Sequence, residues 1–174
     1  MKGLYLLVLL SVFLIQDINA QEGKLQNLDF LIGTWETREE IADKGWWETS
    51  TREIEYTLGG NYIRLNAKSI DSNGREREYS WFINYNKNTE QFEMISMFSN
   101  WYKTQFDVLT WNEEDRTLVI QHKEGMDEEY HERYGEMTFS EDFKNYTWKG
   151  ENRYGDPNDL GIWRYVETGQ KIGN

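Results

Sequence analysis

Apolar and polar residues alternate with a period of two along most of this chain. Ile54, Tyr56 and Leu58 fall on one face of a segment whose other face carries Thr49, Thr51, Glu53, Glu55 and Thr57. Ile63, Leu65 and Ala67 alternate with Arg64, Asn66 and Lys68, and Tyr79, Trp81, Ile83 and Tyr85 share a face further on. Phe92, Met94, Ser96 and Phe98 follow in the same rhythm. Successive side chains of a strand point to opposite faces, so this pattern predicts strands. Segments at Thr34–Ile41, Phe106–Trp111, Leu118–Lys123, Tyr130–Phe139, Phe143–Tyr154 and Gly161–Glu167 bring the expected number to about ten.

Turn signals separate them: Asp43-Lys44-Gly45, Asp71-Ser72-Asn73-Gly74 and Asn86-Lys87-Asn88-Thr89, with Gly59-Gly60 read as a two-residue hairpin. Residues 23 to 32 show a helix period instead and predict a short helical lead-in. Trp46-Trp47 and Trp101-Tyr102 fall in connections on this reading. Short hairpins without crossovers make a meander, which loses its edges by closing. The expected fold is all-β, an up-and-down antiparallel barrel with an interior wide enough for a cavity. An open sandwich is the rival architecture.

The first twenty residues stand apart from this pattern. Lys2, an apolar run from Leu4 to Ile15 and the small residue of Asn19-Ala20 predict a secretory signal peptide over 1–20, with the barrel domain occupying 21–174. An uncleaved membrane anchor is the alternative. The chain has no Cys, which excludes both disulfides and a thioether-linked lipid. Together these suggest a secreted or periplasmic protein without a stable membrane anchor after cleavage. The net charge of −12 disfavours phosphate backbones, so no nucleic-acid partner is expected. Asn145-Tyr146-Thr147 is a glycosylation sequon whose use depends on the host. Nothing in the pattern reports the oligomeric state.

Leu28-Asp29-Phe30-Leu31-Ile32-Gly33-Thr34-Trp35-Glu36 resembles the opening of lipocalin-like barrels of the calycin superfamily. The resemblance is greatest to nitrobindin-like proteins and to exported bacterial lipocalin-like domains of unknown function. Leu58-Gly59-Gly60, Phe82-Ile83-Asn84-Tyr85-Asn86 and Ile162-Trp163-Arg164-Tyr165 resemble later motifs of the same barrels. The resemblance implies a barrel closed at one end around Gly33 and Trp35, with Arg164 of the last strand packed across the Trp35 ring. It also implies an interior ligand. Haem-binding nitrobindins use a His near the carboxyl end, and this chain has no His after His131. Haem is therefore not expected, nor is any other cofactor or metal.

Candidate chemistry concentrates in two groups. Tyr79, Trp81 and Tyr85, with Trp148 and Tyr146 on a later strand, are rigid rings suited to lining a cavity. His122 and His131 flank a hairpin around Gly125-Met126-Asp127-Glu128, and a register centred between Met126 and Asp127 sets them opposite each other with Arg133 on the same face. Two imidazoles and a guanidinium could orient an anionic or carbonyl-bearing guest. Asp156-Pro157-Asn158-Asp159 and Asp127-Glu128-Glu129 are oxygen-rich but lack the spacing of a calcium loop. The expected function is binding of a small apolar or amphipathic ligand by Tyr79, Trp81, Tyr85, His122, His131, Arg133 and Trp148. Two alternatives stay open: a small barrel enzyme of isomerase, lyase or hydrolase type using His122, His131 and Arg133, and an interaction module presenting Trp47 and Trp101.

Overall fold

The computed structural model describes residues 24–122, 131–156 and 159–173, with backbone alone at 42, 131, 155, 156, 159 and 160. The segment expected to be a signal peptide, the Asp127-Glu128-Glu129 run and Pro157-Asn158 lie outside them. Ten strands close into one antiparallel barrel. They are β1 (Gly33–Ile41), β2 (Trp46–Thr57), β3 (Tyr62–Asp71), β4 (Glu76–Asn86), β5 (Gln91–Phe98), β6 (Trp101–Asn112), β7 (Thr117–His122), β8 (His131–Phe139), β9 (Asn145–Asp156) and β10 (Asp159–Gly173). Each pairs with its sequence neighbour, and β1 pairs with β10 to complete the ring. The up-and-down barrel expected from the alternation is the fold observed.

Several local readings are corrected. The Gly59-Gly60 turn is a four-residue connection, since Thr57 pairs with Tyr62. Leu58, Gly59 and Gly60 all take positive φ there (50°, 70° and 86°), so the glycines serve the conformation expected of them within a longer loop. Trp46, Trp47 and Trp101 begin strands β2 and β6; none lies in a connection. Trp47 is half-buried beneath the Arg38 guanidinium, 4.8 Å from its ring centroid. Phe143 precedes β9 and turns the chain with φ of 54°.

The two ends of the barrel differ chemically. At one, the 3₁₀ segment Gln26–Leu31 crosses the opening and buries Leu28 and Leu31. Phe30 meets Trp111, Phe139 and Phe143 there, with centroids 4.2 to 5.2 Å apart. Trp35 is 1% exposed and donates from Nε1 to the Leu31 carbonyl at 2.8 Å, fixing the plug to the first strand. Beneath it, Ile54, Leu65, Ile83, Met94, Leu109, Leu118, Ile120 and Met137 pack with about 30 Å³ between them, room for one water-sized sphere. The closed half is a filled core.

The cation over Trp35 is not the one implied by the calycin resemblance. Register places Trp35 opposite Lys171, whose Nζ sits 5.1 Å from the ring centroid and donates to the Phe30 carbonyl at 2.9 Å. Arg164 lies seven residues earlier, near the middle of β10 and on its outer face, where its side chain is 71% exposed and pairs with Glu151. Strand length explains the difference: β10 runs to Gly173, past the end expected at Glu167, so a later residue reaches the closed end. Desolvation by the plug lowers the Lys171 pKa.

Candidate ligand site

Toward the Ser99–Asn100 turn the barrel interior opens into a cavity of about 380 Å³. Its walls are Trp81, Phe98, Trp101, Trp148, Tyr154 and Tyr165, and its charged groups are Glu39, Arg52, Arg77 and Arg133. Glycines make part of the room. A Cβ at Gly150 would collide with the Tyr165 ring, and one at Gly135 would collide with Trp148 Nε1. Large rings therefore lie across the backbone of β8 and β9 and hold the cavity wall in place.

The floor of the cavity is a network of buried charge. Arg52, 4% exposed, donates from Nη1 and Nη2 to the two oxygens of Glu167 at 2.8 and 2.5 Å. Its Nε donates to the Tyr79 hydroxyl at 2.8 Å, and Nη1 also reaches the Tyr146 hydroxyl at 2.9 Å. Tyr146 in turn donates to Glu167 at 2.6 Å. Ser50 links Tyr79 to Thr37, at 3.0 and 2.6 Å. Burial raises the pKa of both phenols, which keeps them protonated and available as donors.

Two further arginines are matched in the same way. Arg77 donates to Glu48 at 2.6 Å. Arg133 donates from Nη1 to Asp107 at 2.9 Å and to Gln105 at 3.1 Å, with its guanidinium 5.4 Å from the Trp148 ring centroid. Burial, the largest influence, lowers its pKa; Asp107 together with Tyr165 and Tyr154 outweighs it, and the net shift is upward.

The remaining carboxylate is Glu39. The ladders of β1 set it opposite Glu167 on β10 and opposite Glu48 on β2, so three carboxylates occupy one row across three strands. Arg52 takes Glu167 and Arg77 takes Glu48. Glu39 takes no hydrogen bond or ion pair from the described residues and lines the cavity. Burial, followed by repulsion from Glu167 and Glu48, pushes its pKa up to about 7 against the pull of Arg77 and Arg52.

Of the residues expected at the site, Tyr79, Trp81, Arg133 and Trp148 all line this cavity. Tyr85 does not: it packs on Phe92 against the apolar core. His122 borders a neighbouring recess with Gln121, Glu132 and Arg133, and its register partner on β6 is Asp107, the carboxylate that holds Arg133. His131 lies opposite Tyr154 in the β8–β9 ladder, and its side chain is outside the description. The two histidines are not opposed. Gln121 pairs with Tyr134, which sets the β7–β8 register two residues from the expected one and brings Arg133 across from His122. Sequence reasoning missed Glu39, Arg52, Gln105, Asp107, Tyr154, Tyr165 and Glu167. The available signal was the run Glu48, Ser50, Arg52, which continues the Ile54 face with polar residues.

No family model matches this chain, and no curated protein matches its sequence. Solved structures share its fold. The M. tuberculosis protein Rv2717c superposes with a TM-score of 0.60 at 11% identity, over 85% of this chain and 96% of that one. The S-type phycobiliprotein lyase CPES from Guillardia theta superposes with a TM-score of 0.59 at 10% identity, over 86% and 92% of the two chains. At such identities the likeness is one of architecture.

Proposed function

We propose that this protein is an exported, lipocalin-like carrier that binds a small amphipathic molecule in the upper half of its barrel. The cavity carries the reading: about 380 Å³, within the range of small-molecule sites, walled by rings and floored by fixed polar groups. Trp81 Nε1, Trp148 Nε1 and Arg133 Nε are buried donors that no described residue accepts from, and Asn152 Oδ1 is a buried acceptor in the same position. Buried polar groups are normally paired, so such atoms around a cavity favour a guest with its own polar groups. The filled closed end refines the expectation from the sequence, since an apolar guest has no space in the apolar half. That a phycobiliprotein lyase shares the barrel fits this reading, as does the resemblance to nitrobindin-like and exported lipocalin-like proteins.

Export rests on Lys2, the run from Leu4 to Ile15 and Asn19-Ala20. Native mass spectrometry of the protein from its exported fraction tests both parts. The expected result is a mature chain beginning at Gln21 that carries a discrete extra mass lost on denaturation. A full-length chain in the cytosolic fraction would refute export. A bare mass, together with no change in Trp fluorescence across a library of small aromatic amphiphiles, would refute the carrier.

A further inference from the structure

The charges around the cavity do not balance. Among the described residues, Glu39, Glu48, Asp107 and Glu167 face three arginines, Arg52, Arg77 and Arg133, and each arginine is committed to one carboxylate. The carboxylate left over is Glu39, and it lines the cavity. We propose that the guest is an organic cation, an aromatic or alkyl ammonium whose charge is neutralised by the Glu39 carboxylate while its apolar body rests against Trp81, Phe98, Trp101 and Trp148.

Each part of this follows from geometry. An ammonium needs a counter-ion and acceptors; Glu39 supplies the first, and Asn152 Oδ1 is a further buried acceptor on the same cavity. Indole faces attract a positive charge, most strongly where water is excluded. Trp81 and Trp148 already carry the Arg52 and Arg133 guanidiniums, at 5.2 and 5.4 Å, so Trp101 is the indole of this wall with no cation from the described residues over it. An anionic guest would meet a row of three carboxylates whose flanking members are already matched to arginine, and each described arginine of the cavity already holds a carboxylate. A metal ion needs three or more donors at fixed distances, and one unengaged carboxylate does not provide them. The remaining possibility is a cation bulky enough to take the rest of its stabilisation from the walls.

The binding is linked to protons. Glu39 shares the interior with Glu48 and Arg52 of β2, Arg77 of β4, Tyr154 of β9 and Tyr165 and Glu167 of β10, while Arg133, paired with Asp107, lines the same cavity and His122 borders the neighbouring recess. Its raised pKa means that a cation must displace a proton near neutrality. Affinity therefore rises with pH through about 7 and levels off once Glu39 is fully ionised.

This inference rests on the carrier reading, and three indole probes separate the two. Tryptamine is the cation, tryptophol its neutral counterpart and indole-3-acetate the anion; each is titrated calorimetrically into the mature protein at pH 6 and pH 8. Tryptamine is expected to bind at least tenfold tighter than tryptophol at pH 8, with a preference about tenfold smaller at pH 6. Glu39→Gln and Glu39→Ala, checked for folding by thermal melts, are expected to bring tryptamine down to the affinity of tryptophol. If tryptophol or indole-3-acetate binds the native protein as well as tryptamine does, the cation proposal falls and the carrier stands. Retention of the tryptamine preference in both variants removes Glu39 from the site. If no probe binds, the cation proposal falls, and a bare native mass takes the carrier reading with it.

Discussion

Glu39 stands directly across the β1–β10 ladder from Glu167, so two carboxylates share one inward-facing position of the barrel. Like charges facing each other across a ladder are normally avoided. Here Arg52 compensates one of them through two hydrogen bonds, and the other is left to titrate. The pair divides the interior into a structural charge and an adjustable one, and different experiments report on each.

Glu39 makes folding stability depend on pH near neutrality. Its folded pKa of about 7 lies above the ordinary carboxylate value of 4.5, so between these values the folded chain holds a proton that the unfolded chain releases. Stability from this group is complete below the unfolded value and is lost as pH rises through the folded one. At about 1.4 kcal/mol per pH unit, the loss is at most about 3.5 kcal/mol. Chemical denaturation at pH 5 and pH 8 is expected to show native protein weakening across this interval and Glu39→Gln holding steady. An unchanged slope in the variant would contradict this assignment.

Breaking the Arg52–Glu167 pair has asymmetric consequences. Arg52→Met leaves Glu167 buried without its cation beside Glu39 and is expected to cost about 3–5 kcal/mol. Glu167→Gln removes a negative charge from the same row, so the repulsion on Glu39 falls as Arg52 loses its partner. It should cost less than Arg52→Met and move the Glu39 titration to lower pH. Urea melts of the two variants, with a carboxylate titration followed by NMR, check both statements.

Closure of the filled end belongs to Lys171. Lys171→Met removes the hydrogen bond to the Phe30 carbonyl and the charge over Trp35, and about 1–2 kcal/mol of stability is expected to go with them. Arg164→Ala, on the outer face, should stay within about 0.5 kcal/mol of the native value. Thermal melts of the two variants side by side decide the matter. A larger effect at Arg164 would reinstate the arrangement implied by the resemblance.

A methyl group at Gly150 meets the Tyr165 ring and must push it into the cavity. Gly150→Ala is expected to destabilise the barrel by about 1–3 kcal/mol and to weaken binding of any guest that rests on this wall. Gly74→Ala serves as a contrast: open space surrounds that position, but its φ of 76° strains any side chain. Its cost should appear in stability with no change in binding, measured by melts and by titration with one indole probe.

The barrel was legible because alternation is a local property. The faces of Ile63, Leu65, Ala67 and of Tyr79, Trp81, Ile83 follow from their neighbours alone, and the structure buries all six. The β7–β8 hairpin shows where local information stops. A shift of two residues keeps every side chain on its expected face but changes its partner, so the ladder sets His122 in line with Arg133 and not with His131. The charged interior was hidden for another reason. Ionised residues enter a core only when paired, and Arg52 finds its partner 115 residues away on the last strand. In the sequence, Glu48, Ser50 and Arg52 look like solvent-facing positions, and only the register that brings β2, β1 and β10 together shows otherwise.

That distance also sets an order of assembly. β2 cannot bury Arg52 until β10 delivers Glu167, and β10 is the final strand of the chain. A chain short of β10 would leave the Arg52 guanidinium without its carboxylate, so its centre is expected to stay hydrated until the last strand docks against the first. Closure then acts as an internal check that the whole chain has arrived.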